Sequence, residues 1–358
     1  MSYASRKDDH VRLAVAQHRE SITGQRPAPF DHVAFVHHAM RGTADHAVSL
    51  ATEVGGTTWS VPLYINAMTG GSARTGAVNQ GLAIAARETG VAIASGSMSA
   101  YLADSSVAAT YRVLRAENPE GYVIANINAN TTPEMAARAV ELVRADALQV
   151  HVNAIQEIVM PEGDRDFSAW PGNIARLVET LDVPVIVKEV GFGISADTVT
   201  QLAGLGVRIV DVSGNGGTNF ALIENARRPG ADFGQLADWG LSTPACLVDG
   251  AEAALAQGVT LLASGGVRTP LDVVRGLALG ARAVGVSGHF LSILETAGVD
   301  ALIATIDTWI IQIRQLMTLL GAETVRALAD TDVLLTGELA ETCRLRGIDP
   351  AIYARRSR

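Results

Sequence analysis

The sequence predicts an α/β protein folded as a (β/α)₈ TIM barrel, with an N-terminal extension and an insertion after the sixth strand. Short apolar segments rich in β-branched residues recur about 32 residues apart, which is the length of one βα unit. Their continuous apolar character is typical of strands buried on both faces of a parallel sheet, and amphipathic stretches separate them. A doubly wound open sheet is the alternative, but eight regular units favour a closed barrel. The segments begin near Val61, Val91, Tyr122, Ala147, Val185, Ile209, Leu261 and Ala283.

The chain before the first strand, residues 1–60, is predicted to be an arm followed by a hairpin. Segments 46–54 and 57–65 have strand-like composition, and the pair Gly55-Gly56 lies between them. Two glycines between such segments are a strong signal for a tight turn. We therefore expect the hairpin to lead directly into the barrel.

The barrel itself is predicted over residues 61–320. Within it, segments 132–145 and 269–281 have the apolar periodicity of helices. The second segment begins with Thr269 as a plausible N-cap and Pro270 at the first helical position, where a missing N–H is tolerated. Helices of this kind connect the parallel strands.

The longest interval between predicted strands follows Ile209 and contains an insertion of about 20 residues beyond one βα unit. It includes the glycine-rich stretch 213–240. An insertion on this side of a barrel strand lies over the active-site mouth, so it is either a lid or a tolerated surface loop. The apolar positions of 301–320 predict a helix that closes the ring, and 321–358 has the character of a charged tail.

Composition excludes several classes of protein. The formal net charge is −9 at pH 7, and an acidic chain lacks the basic face that binding to nucleic-acid phosphates requires. No apolar run reaches the roughly 18 residues needed to span a bilayer, and the charged N-terminus has no signal-peptide core. Cys246 and Cys343 are too few for a disulfide framework. We expect a cytoplasmic protein with no nucleic-acid or membrane partner.

Small or polar residues follow nearly every predicted strand. In such a barrel the carboxyl ends of all strands meet at one face, where enzymes place their functional groups. A purely structural barrel has no reason to collect these residues at one end, so we expect a functional mouth there. The strand-end residues include Asn66, Ser95, Asn126, His151, Lys188, Asp211, Ser264 and Ser287.

The loop 264–270 carries the sharpest local signal for a ligand. Gly265 and Gly266 allow backbone N–H groups to approach an anion, and the loop leads into a helix N-terminus. Ser287-Gly288 forms a second small loop after the last strand. Barrels of this kind build phosphate sites after their seventh and eighth strands, although two ordinary glycine turns would have the same composition.

Three strand-end or near-strand residues have several open roles. Only two of the 28 lysines and arginines are lysines, and one of them, Lys188, ends an apolar strand with its amine directed into the mouth. It could be a Schiff-base nucleophile, a general base, a cation beside a flavin ring or an anion, or a partner for Glu189. Glu157 could be a structural acid, a general base or a Mg²⁺ ligand. His151 is either a core histidine or a site residue.

The N-terminal arm places Arg6, Lys7 and His10 within one helical turn. One interpretation is a solvated charge cluster at the chain end. The other is a set of three donors that converge on a diphosphate in the same subunit or in a neighbouring one.

Eight motifs between residue 6 and about residue 320 carry a family resemblance. They are RKDDH, PLYINAMTGG, ASGSMSAYLAD, IANINAN, HVNAIQEIVMPEGDRDF, VPVIVKEVGFG, DVSGNGGTNFALIENARR and ASGGVRTPLDVVRGLALGA. Together they strongly resemble type 2 isopentenyl diphosphate isomerase, and the fifth and seventh are the most specific. The resemblance implies an FMN-bound barrel that depends on Mg²⁺ and interconverts isopentenyl and dimethylallyl diphosphate.

The resemblance also assigns site residues by position. The flavin contacts it implies are Ala67, Met68, Thr69, Ser97, Asn126, Lys188, Ser213 and Thr218, and the flavin-phosphate contacts are Gly266, Val267, Arg268, Ser287 and Gly288. The substrate contacts it implies are Arg6, Lys7, His10, Ser97, Met98, Ser99, His151, Asn153 and Gln156. Glu157 takes the metal. The family commonly has glutamine where this chain has Met98, so one polar contact at the substrate edge is missing.

The implied reaction is a redox-neutral 1,3-allylic proton shift in isoprenoid biosynthesis. Reduced FMN, held by Lys188, would exchange the proton through N5, and NADPH would reduce the flavin. Mg²⁺ on Glu157 would hold the diphosphate rather than move the proton. Gln156 and Glu224 join Lys188 as catalytic candidates, Glu224 for proton handling. The family also implies a homotetramer or a larger homo-oligomer.

Three rival functions share some of these features. An FMN-dependent 2-hydroxy-acid oxidase needs a base and carboxylate-binding arginines, whereas the mouth is rich in Asn, Gln and Ser. A Schiff-base aldolase acting through Lys188 needs no flavin. A non-catalytic phosphate-binding barrel would tolerate the loss of Gln156 and Glu157. The sequence favours the isomerase over all three.

Overall fold

Eight parallel strands form a closed barrel in a computed structural model that describes residues 3–23, 28–228 and 230–357. Neighbouring strands follow chain order, and the ring closes where Val284 pairs with Leu63. The predicted fold class is therefore confirmed, and the predicted strand starts lie within two residues of the observed ones. The strands are β1 (Leu63–Ile65), β2 (Ala92–Ala94), β3 (Val123–Asn128), β4 (Ala147–His151), β5 (Val185–Lys188), β6 (Ile209–Asp211), β7 (Thr260–Ser264) and β8 (Ala283–Val286).

Helices surround this barrel. They are α1 (Tyr3–Thr23), α2 (Ala73–Thr89), α3 (Ser99–Ala103), α4 (Ala109–Glu117), α5 (Pro133–Val143), α6 (Ala154–Val159), α7 (Trp170–Thr180), α8 (Ala196–Gly204), α9 (Phe220–Arg227), α10 (Thr243–Gln257), α11 (Pro270–Ala278), α12 (Gly288–Ala297), α13 (Val299–Leu320) and α14 (Gly337–Leu345). Among the described residues, no helix is long and apolar enough to cross a membrane.

The barrel interior is apolar at its amino end and polar at its carboxyl end. Side chains alternate along each strand, so every second residue points inward. The lower inward residues, such as Ile124, Ile186 and Leu262, form one apolar cluster. Two residues further along the strands the inward positions become polar, as at Asn126 and Lys188, and these residues are also buried. The fold therefore brings a buried polar layer to the mouth of the barrel.

A hairpin closes the amino end of the barrel. Its strands, Thr52–Val54 and Thr57–Trp59, pair antiparallel across Gly55-Gly56. Both glycines have positive φ, 58° and 86°, as the favoured two-residue hairpin turns require. Trp59 then packs edge-on against Tyr64, with ring centroids 5.6 Å apart. The predicted hairpin is confirmed, although its strands are shorter than the predicted segments.

The predicted start of α11 is confirmed at the level of single hydrogen bonds. The Thr269 side chain accepts from the Asp272 backbone N–H, and the Asp272 carboxylate accepts from the Thr269 N–H in return. Pro270 is the first helical residue. This reciprocal capping satisfies N–H groups that the helix leaves unpaired and fixes the loop before it.

The N-terminal and C-terminal segments meet on the outside of the barrel. Strand Val33–Phe35 pairs antiparallel with strand Val333–Leu335, and α14 follows the second strand. Residues 321–357 therefore form a folded part of the domain rather than only a charged tail. Three-residue strands carry no readable periodicity, so their long-range pairing is invisible in the sequence. The division at residues 60/61 and 320/321 stays a prediction.

The insertion after β6 carries α9, and the arm carries α1. Helix α1 contacts both α9 and α12, so the arm lies across the carboxyl end of the barrel. Phe220, the first residue of α9, reaches the cavity described below. The insertion is thus part of the mouth, as its place in the chain predicts.

Helix α13 offers a direct test of the core. Ile306 is fully buried, whereas Ile311 on the same helix is 55% exposed. Replacing Ile306 by Ala should lower the free energy of unfolding by about 2–5 kcal/mol, because it removes buried methyl groups and leaves a cavity. Ile311→Ala should change it by about 0.5 kcal/mol or less. Urea denaturation measures both, and equal losses would contradict this packing.

Candidate active site

Two adjoining cavities occupy the carboxyl end of the barrel. The larger has a volume of about 440 Å³ and the smaller about 70 Å³. Their walls share Ala67, Met68, Lys188, Val190 and Phe220. A ligand that fills the smaller cavity therefore lies beside whatever fills the larger one.

The smaller cavity is built from glycine-rich loops and helix N-termini. Gly265 and Gly266 have φ of 94° and 76°, which side chains rarely adopt. A Cβ on Gly266 would lie 3.2 Å from the Gly216 carbonyl carbon, and one on Gly288 would lie 2.9 Å from the Thr218 hydroxyl. Helices α11 and α12 begin at these loops. Their free N–H groups and partial positive charge suit a phosphate.

Lys188 ends β5 and lines both cavities. Its ammonium donates a hydrogen bond to the Glu189 backbone carbonyl. Burial lowers the pKa of Lys188, although the nearby carboxylates of Asp211 and Glu189 oppose the shift. This placement, shared between the two cavities, favours a cation beside a bound ring or anion.

The Glu189 carboxylate accepts hydrogen bonds from backbone N–H groups rather than from the Lys188 ammonium. Its Oε2 accepts from the N–H groups of Val190, Gly191 and Phe192, at 2.6, 2.8 and 2.5 Å. Burial raises the pKa of Glu189 to about 7, while these N–H groups and Lys188 favour the ionised form. Glu189 therefore fixes the loop after β5, and with it the rim of the mouth.

The residues around the smaller cavity fit an FMN group. The glycine cradle and Arg268 provide for a phosphate, and Lys188 provides a cation at the boundary with the larger cavity. Each feature suits a phosphate joined to a polar ring.

The arm contributes cations to the larger cavity. Arg6, Lys7 and His10 line it from α1. Burial, followed by the charge of Arg6, lowers the pKa of Lys7 to about 8, and Glu224 opposes the shift. The Lys7 ammonium is thus poorly compensated inside the protein, and an anionic ligand would stabilise it.

Glu224 lies behind the cavity and links the arm to α6. Its Oε1 lies 2.9 Å from His10 Nε2 and accepts from Gln156 Nε2 at 3.0 Å. Arg227 also donates to it. Burial would raise the pKa of Glu224, but the hydrogen bonds and charges of His10, Gln156 and Arg227 outweigh burial and lower it to about 2. Burial also lowers the pKa of His10, whereas its hydrogen bond with Glu224 and the charge of that carboxylate oppose the shift.

His151, at the end of β4, is held neutral. Its Nδ1 lies 2.8 Å from Asn126 Oδ1. Burial and the charges of Lys188 and Lys7 lower the pKa of His151 to about 3, and a hydrogen bond with the Ile127 backbone only partly opposes the shift. The ring therefore lines the cavity without a charge of its own.

Glu157 is the carboxylate best placed to hold a metal. Its Oε1 accepts from Asn153 Nδ2 and its Oε2 from the Asp164 N–H, both at 2.9 Å, which leaves lone pairs on each oxygen. Among the residues that the structure describes, no group of three or more metal-binding side chains is present. A single hard oxygen ligand fits Mg²⁺ when ligand phosphates and water complete the shell.

Most predicted site residues line one cavity or the other. Those on the larger cavity are Arg6, Lys7, His10, Ala67, Met68, Ser97, Ser99, Asn126, His151, Asn153, Gln156, Glu157 and Lys188. Those on the smaller cavity are Ala67, Met68, Lys188, Ser213, Thr218, Gly266, Val267, Arg268, Ser287 and Gly288. The two sets coincide with the substrate and flavin groups expected from the sequence, apart from shared and boundary residues.

Three predicted residues do not line either cavity. Thr69 and Glu224 are buried directly behind the walls, and Met98 is fully buried in the main apolar core. The Met98 N–H donates to the Asn126 carbonyl at 2.8 Å, so only its backbone takes part in the mouth. Met98, which the resemblance placed among the substrate contacts, therefore reaches the mouth only through its backbone. An unbranched apolar side chain gains more by packing inward.

Sequence reasoning missed several residues of the mouth. Asp211 and Gln149 lie in the buried polar layer, and His18 and His289 meet at 3.0 Å beside the smaller cavity. Asp211 was visible as a strand end, and Gln149 lies two residues before His151 on the same inward face. Strand alternation could have found Gln149, but nothing in the sequence brings His18 to His289.

Comparison with known proteins decides the family. Residues 114–335 match the FMN-dependent dehydrogenase family. A protein from Nocardia farcinica named isopentenyl-diphosphate delta-isomerase is 56% identical over 354 residues, which cover 99% of this chain and 96% of the relative. The chain belongs to the isopentenyl-diphosphate delta-isomerase family. A relative of the same name from Staphylococcus saprophyticus is 44% identical and covers 96% and 97% of the two chains.

The predicted resemblance is therefore confirmed, and the dehydrogenase match supports FMN as the cofactor. Solved structures extend the likeness of fold. A mandelate oxidase with an FMN adduct has a TM-score of 0.63 at 17% identity over 92% of each chain. Flavocytochrome b2 with benzoylformate has a TM-score of 0.62 at 19% identity, over 88% of this chain and 77% of the other. At these identities the likeness concerns the fold alone.

The glycine cradle predicts a specific effect on FMN binding. Gly266→Ala should lower FMN affinity about ten-fold or more, because the new methyl group crowds the Gly216 backbone in the phosphate loop. Gly258→Ala is the matched control, since Gly258 also has a positive φ but nothing within 4 Å of a built Cβ. Both variants should lose about 1–2 kcal/mol of stability from backbone strain. Fluorescence titration of the apoprotein with FMN measures the affinity, and equal affinities in the two variants would contradict the assignment.

Proposed function

We propose that the protein interconverts isopentenyl diphosphate and dimethylallyl diphosphate by a redox-neutral 1,3-allylic proton shift, with reduced FMN and Mg²⁺, in isoprenoid biosynthesis. The observation that carries the proposal is the joining of two unlike cavities at Lys188. One has the loops of a flavin-phosphate site. The other has buried arm cations and a carboxylate suited to Mg²⁺, which together match a magnesium diphosphate.

The arm would bind the diphosphate. Arg6 and Lys7 face the larger cavity as cations, and Glu157 faces it as the metal ligand. The remaining substrate contacts in the proposal offer hydrogen bonds rather than charge. They are His10, Ser97, Ser99, His151, Asn153 and Gln156.

Gln156 would orient the reacting carbons. Its Nε2 donates to Glu224 and its Oε1 accepts from Asn153 Nδ2 at 3.1 Å, so both ends of the amide are fixed. Ionised Glu224 holds this arrangement together with His10. Reduced FMN, held by Lys188 and the glycine loops, would supply an electron-rich ring with an acid/base group at N5. Lys188 would stabilise negative charge on that ring.

An oxidase of 2-hydroxy acids is less well supported, despite the shared fold. Recognition of a substrate carboxylate typically uses bidentate arginines. Arg6 is the only arginine among the described residues that line the larger cavity, and it comes from the arm. The rest of the polar wall combines amides, hydroxyls and imidazoles with Lys7, Lys188 and three carboxylates.

Three further parts of the proposal concern its setting. NADPH would reduce the flavin, and the protein would work in the cytoplasm as a homotetramer or larger homo-oligomer, without nucleic-acid or membrane partners. The two cysteines are free and buried, which suits a reducing compartment. Exposed Ile311 and Leu319 on α13 provide apolar area for subunit contact.

The decisive assay is anaerobic conversion of isopentenyl diphosphate with FMN, Mg²⁺ and NADPH or dithionite, each omitted in turn. We expect product only when flavin, reductant and metal are all present, and no stoichiometric consumption of NADPH. No product from flavin-loaded protein would overturn the isomerase proposal. Failure to take up flavin would overturn the phosphate-site assignment as well.

Lys7 predicts the pH dependence of diphosphate binding. Its pKa of about 8 means that the free protein loses this charge as the pH rises through that value. Affinity for inorganic diphosphate should therefore fall by up to about ten-fold per pH unit above it. Lys7→Arg keeps its charge and should bind without that fall. Calorimetric titrations of both proteins with diphosphate, from about pH 7 to about pH 9.5, give the affinity of the unsubstituted protein divided by that of Lys7→Arg. This quotient should fall as the pH rises, and a quotient independent of pH would contradict the prediction.

A further inference from the structure

A continuous chain of hydrogen bonds crosses the buried polar layer of the barrel. Asn66 Nδ2 donates to Asp211 Oδ2 at 2.8 Å, and Gln149 Nε2 donates to Asn66 Oδ1 at 3.3 Å. Asn126 Nδ2 donates to Gln149 Oε1 at 2.7 Å, and Asn126 Oδ1 lies 2.8 Å from His151 Nδ1. Three carboxamides therefore connect a buried carboxylate to the imidazole that lines the larger cavity.

The donor-to-acceptor direction of these hydrogen bonds is fixed at the Asp211 end. Asp211 already accepts from the Tyr64 and Ser264 hydroxyls and from the Ser213 backbone N–H, and Asn66 presents its amide nitrogen to it as a further donor. The other end of the same amide accepts from the Ala67 backbone N–H at 2.8 Å, and a backbone N–H only donates. Both the oxygen and the nitrogen of the Asn66 carboxamide are thus held in place, so the group cannot rotate to exchange them.

The fixed orientation of the Asn66 carboxamide then determines the orientation of the next two carboxamides in turn. Because Asn66 offers an oxygen to Gln149, Gln149 must donate to it and offer its own oxygen to Asn126. Asn126 then donates to Gln149 and offers its oxygen to His151. An oxygen at 2.8 Å requires a proton on His151 Nδ1. In a neutral imidazole, the second nitrogen then carries only a lone pair.

We propose that Gln149 is a positioning residue that fixes His151 as the Nδ1–H tautomer, so that Nε2 is a hydrogen-bond acceptor. All five side chains of the chain are buried, and Asp211 and Gln149 are fully so, whereas Asn126 and His151 also line the larger cavity. Gln149 is fully buried and is the only link between the locked Asn66 and Asn126 among the described residues. Without Gln149, the Asn126 carboxamide can rotate to exchange its oxygen and nitrogen. It can then form a hydrogen bond with either tautomer of His151.

The fixed tautomer selects the kind of ligand atom that His151 meets. A bare Nε2 suits an N–H or O–H donor, such as an N–H of a reduced flavin ring or a hydroxyl or water held by a metal. It does not suit an unprotonated phosphate oxygen, which is also an acceptor, so in the proposed complex His151 would contact the substrate only through a metal-bound water or a protonated ligand atom. Only this choice of ligand rests on the proposed function. The tautomer itself is a property of the free protein.

The test is ¹⁵N solid-state NMR of protein labelled at its eight histidines, with His151 assigned by its absence in His151→Asn. In the unsubstituted protein we expect Nδ1 protonated and Nε2 unprotonated. Gln149→Met, which keeps the size of the side chain and removes both hydrogen bonds, should give a mixture of tautomers. Apparent affinity for any ligand that needs the lone pair should then fall about two-fold if half the molecules carry the wrong tautomer.

Two further variants separate positioning from general damage. Gln149→Glu should restore the single tautomer, because a neutral buried carboxylic acid donates to Asn66 and accepts from Asn126 as the amide does. Asn79→Leu is the matched control, since Asn79 is a buried amide whose Nδ2 donates to the Thr110 carbonyl at 2.8 Å, outside the chain. It should leave the His151 signals unchanged.

The outcomes decide the proposal without reference to activity. Nε2–H in the unsubstituted protein would overturn it, as would a single Nδ1–H tautomer in Gln149→Met. If Gln149→Met does not fold, Asn66→Ala cuts the same chain one link further away and should give the same mixture. An unchanged tautomer there would also overturn it. If the unsubstituted protein showed no isomerase activity, that result would overturn the proposed function and leave the tautomer assignment intact.

Discussion

The mouth of the barrel depends on a carboxylate buried at its centre. Asp211 accepts from the Tyr64 hydroxyl, Asn66 Nδ2, the Ser264 hydroxyl and the Ser213 N–H, at 2.8 to 3.1 Å. An ionised group withdrawn from water costs several kcal/mol unless donors surround it. This requirement explains why β1 and β7 present hydroxyls and an amide toward Asp211. It also holds Ser213 at a φ of 36°, which side chains seldom adopt.

The same low-polarity surroundings prepare the site for an anion. Burial destabilises the charges of Lys7 and Lys188, while Glu224 stays ionised through its contacts with His10 and Arg227. The carboxylate that would otherwise neutralise the arm is therefore engaged behind the wall. A diphosphate in the larger cavity would gain from cations that the protein leaves incompletely compensated. Glu224 also ties α1 to Gln156, so the arm and the proposed reacting groups are positioned together.

Much of this could be predicted because periodicity and strand ends are local signals. Eight apolar segments predicted the barrel, and the loops at Gly266 and Gly288, predicted to hold a phosphate, line the smaller cavity. Most candidate residues came from resemblance, and the structure brings them to two adjoining walls. The sequence did not predict the pairing of Val33–Phe35 with Val333–Leu335. Three-residue strands show no hydrophobic periodicity, and these two are separated by most of the sequence. The buried side chain of Met98 could not be predicted, because a motif gives a position but not the direction of a side chain.

The most direct test of the central claim is the fate of protons and electrons during turnover. The reaction is run anaerobically in D₂O with FMN, Mg²⁺ and NADPH, and both diphosphates are analysed by mass spectrometry while NADPH is followed optically. An allylic proton shift predicts deuterium in the dimethylallyl product, exchange into recovered isopentenyl diphosphate, and NADPH oxidation limited to initial flavin reduction. Product without deuterium, or one NADPH oxidised for each product formed, would contradict the account.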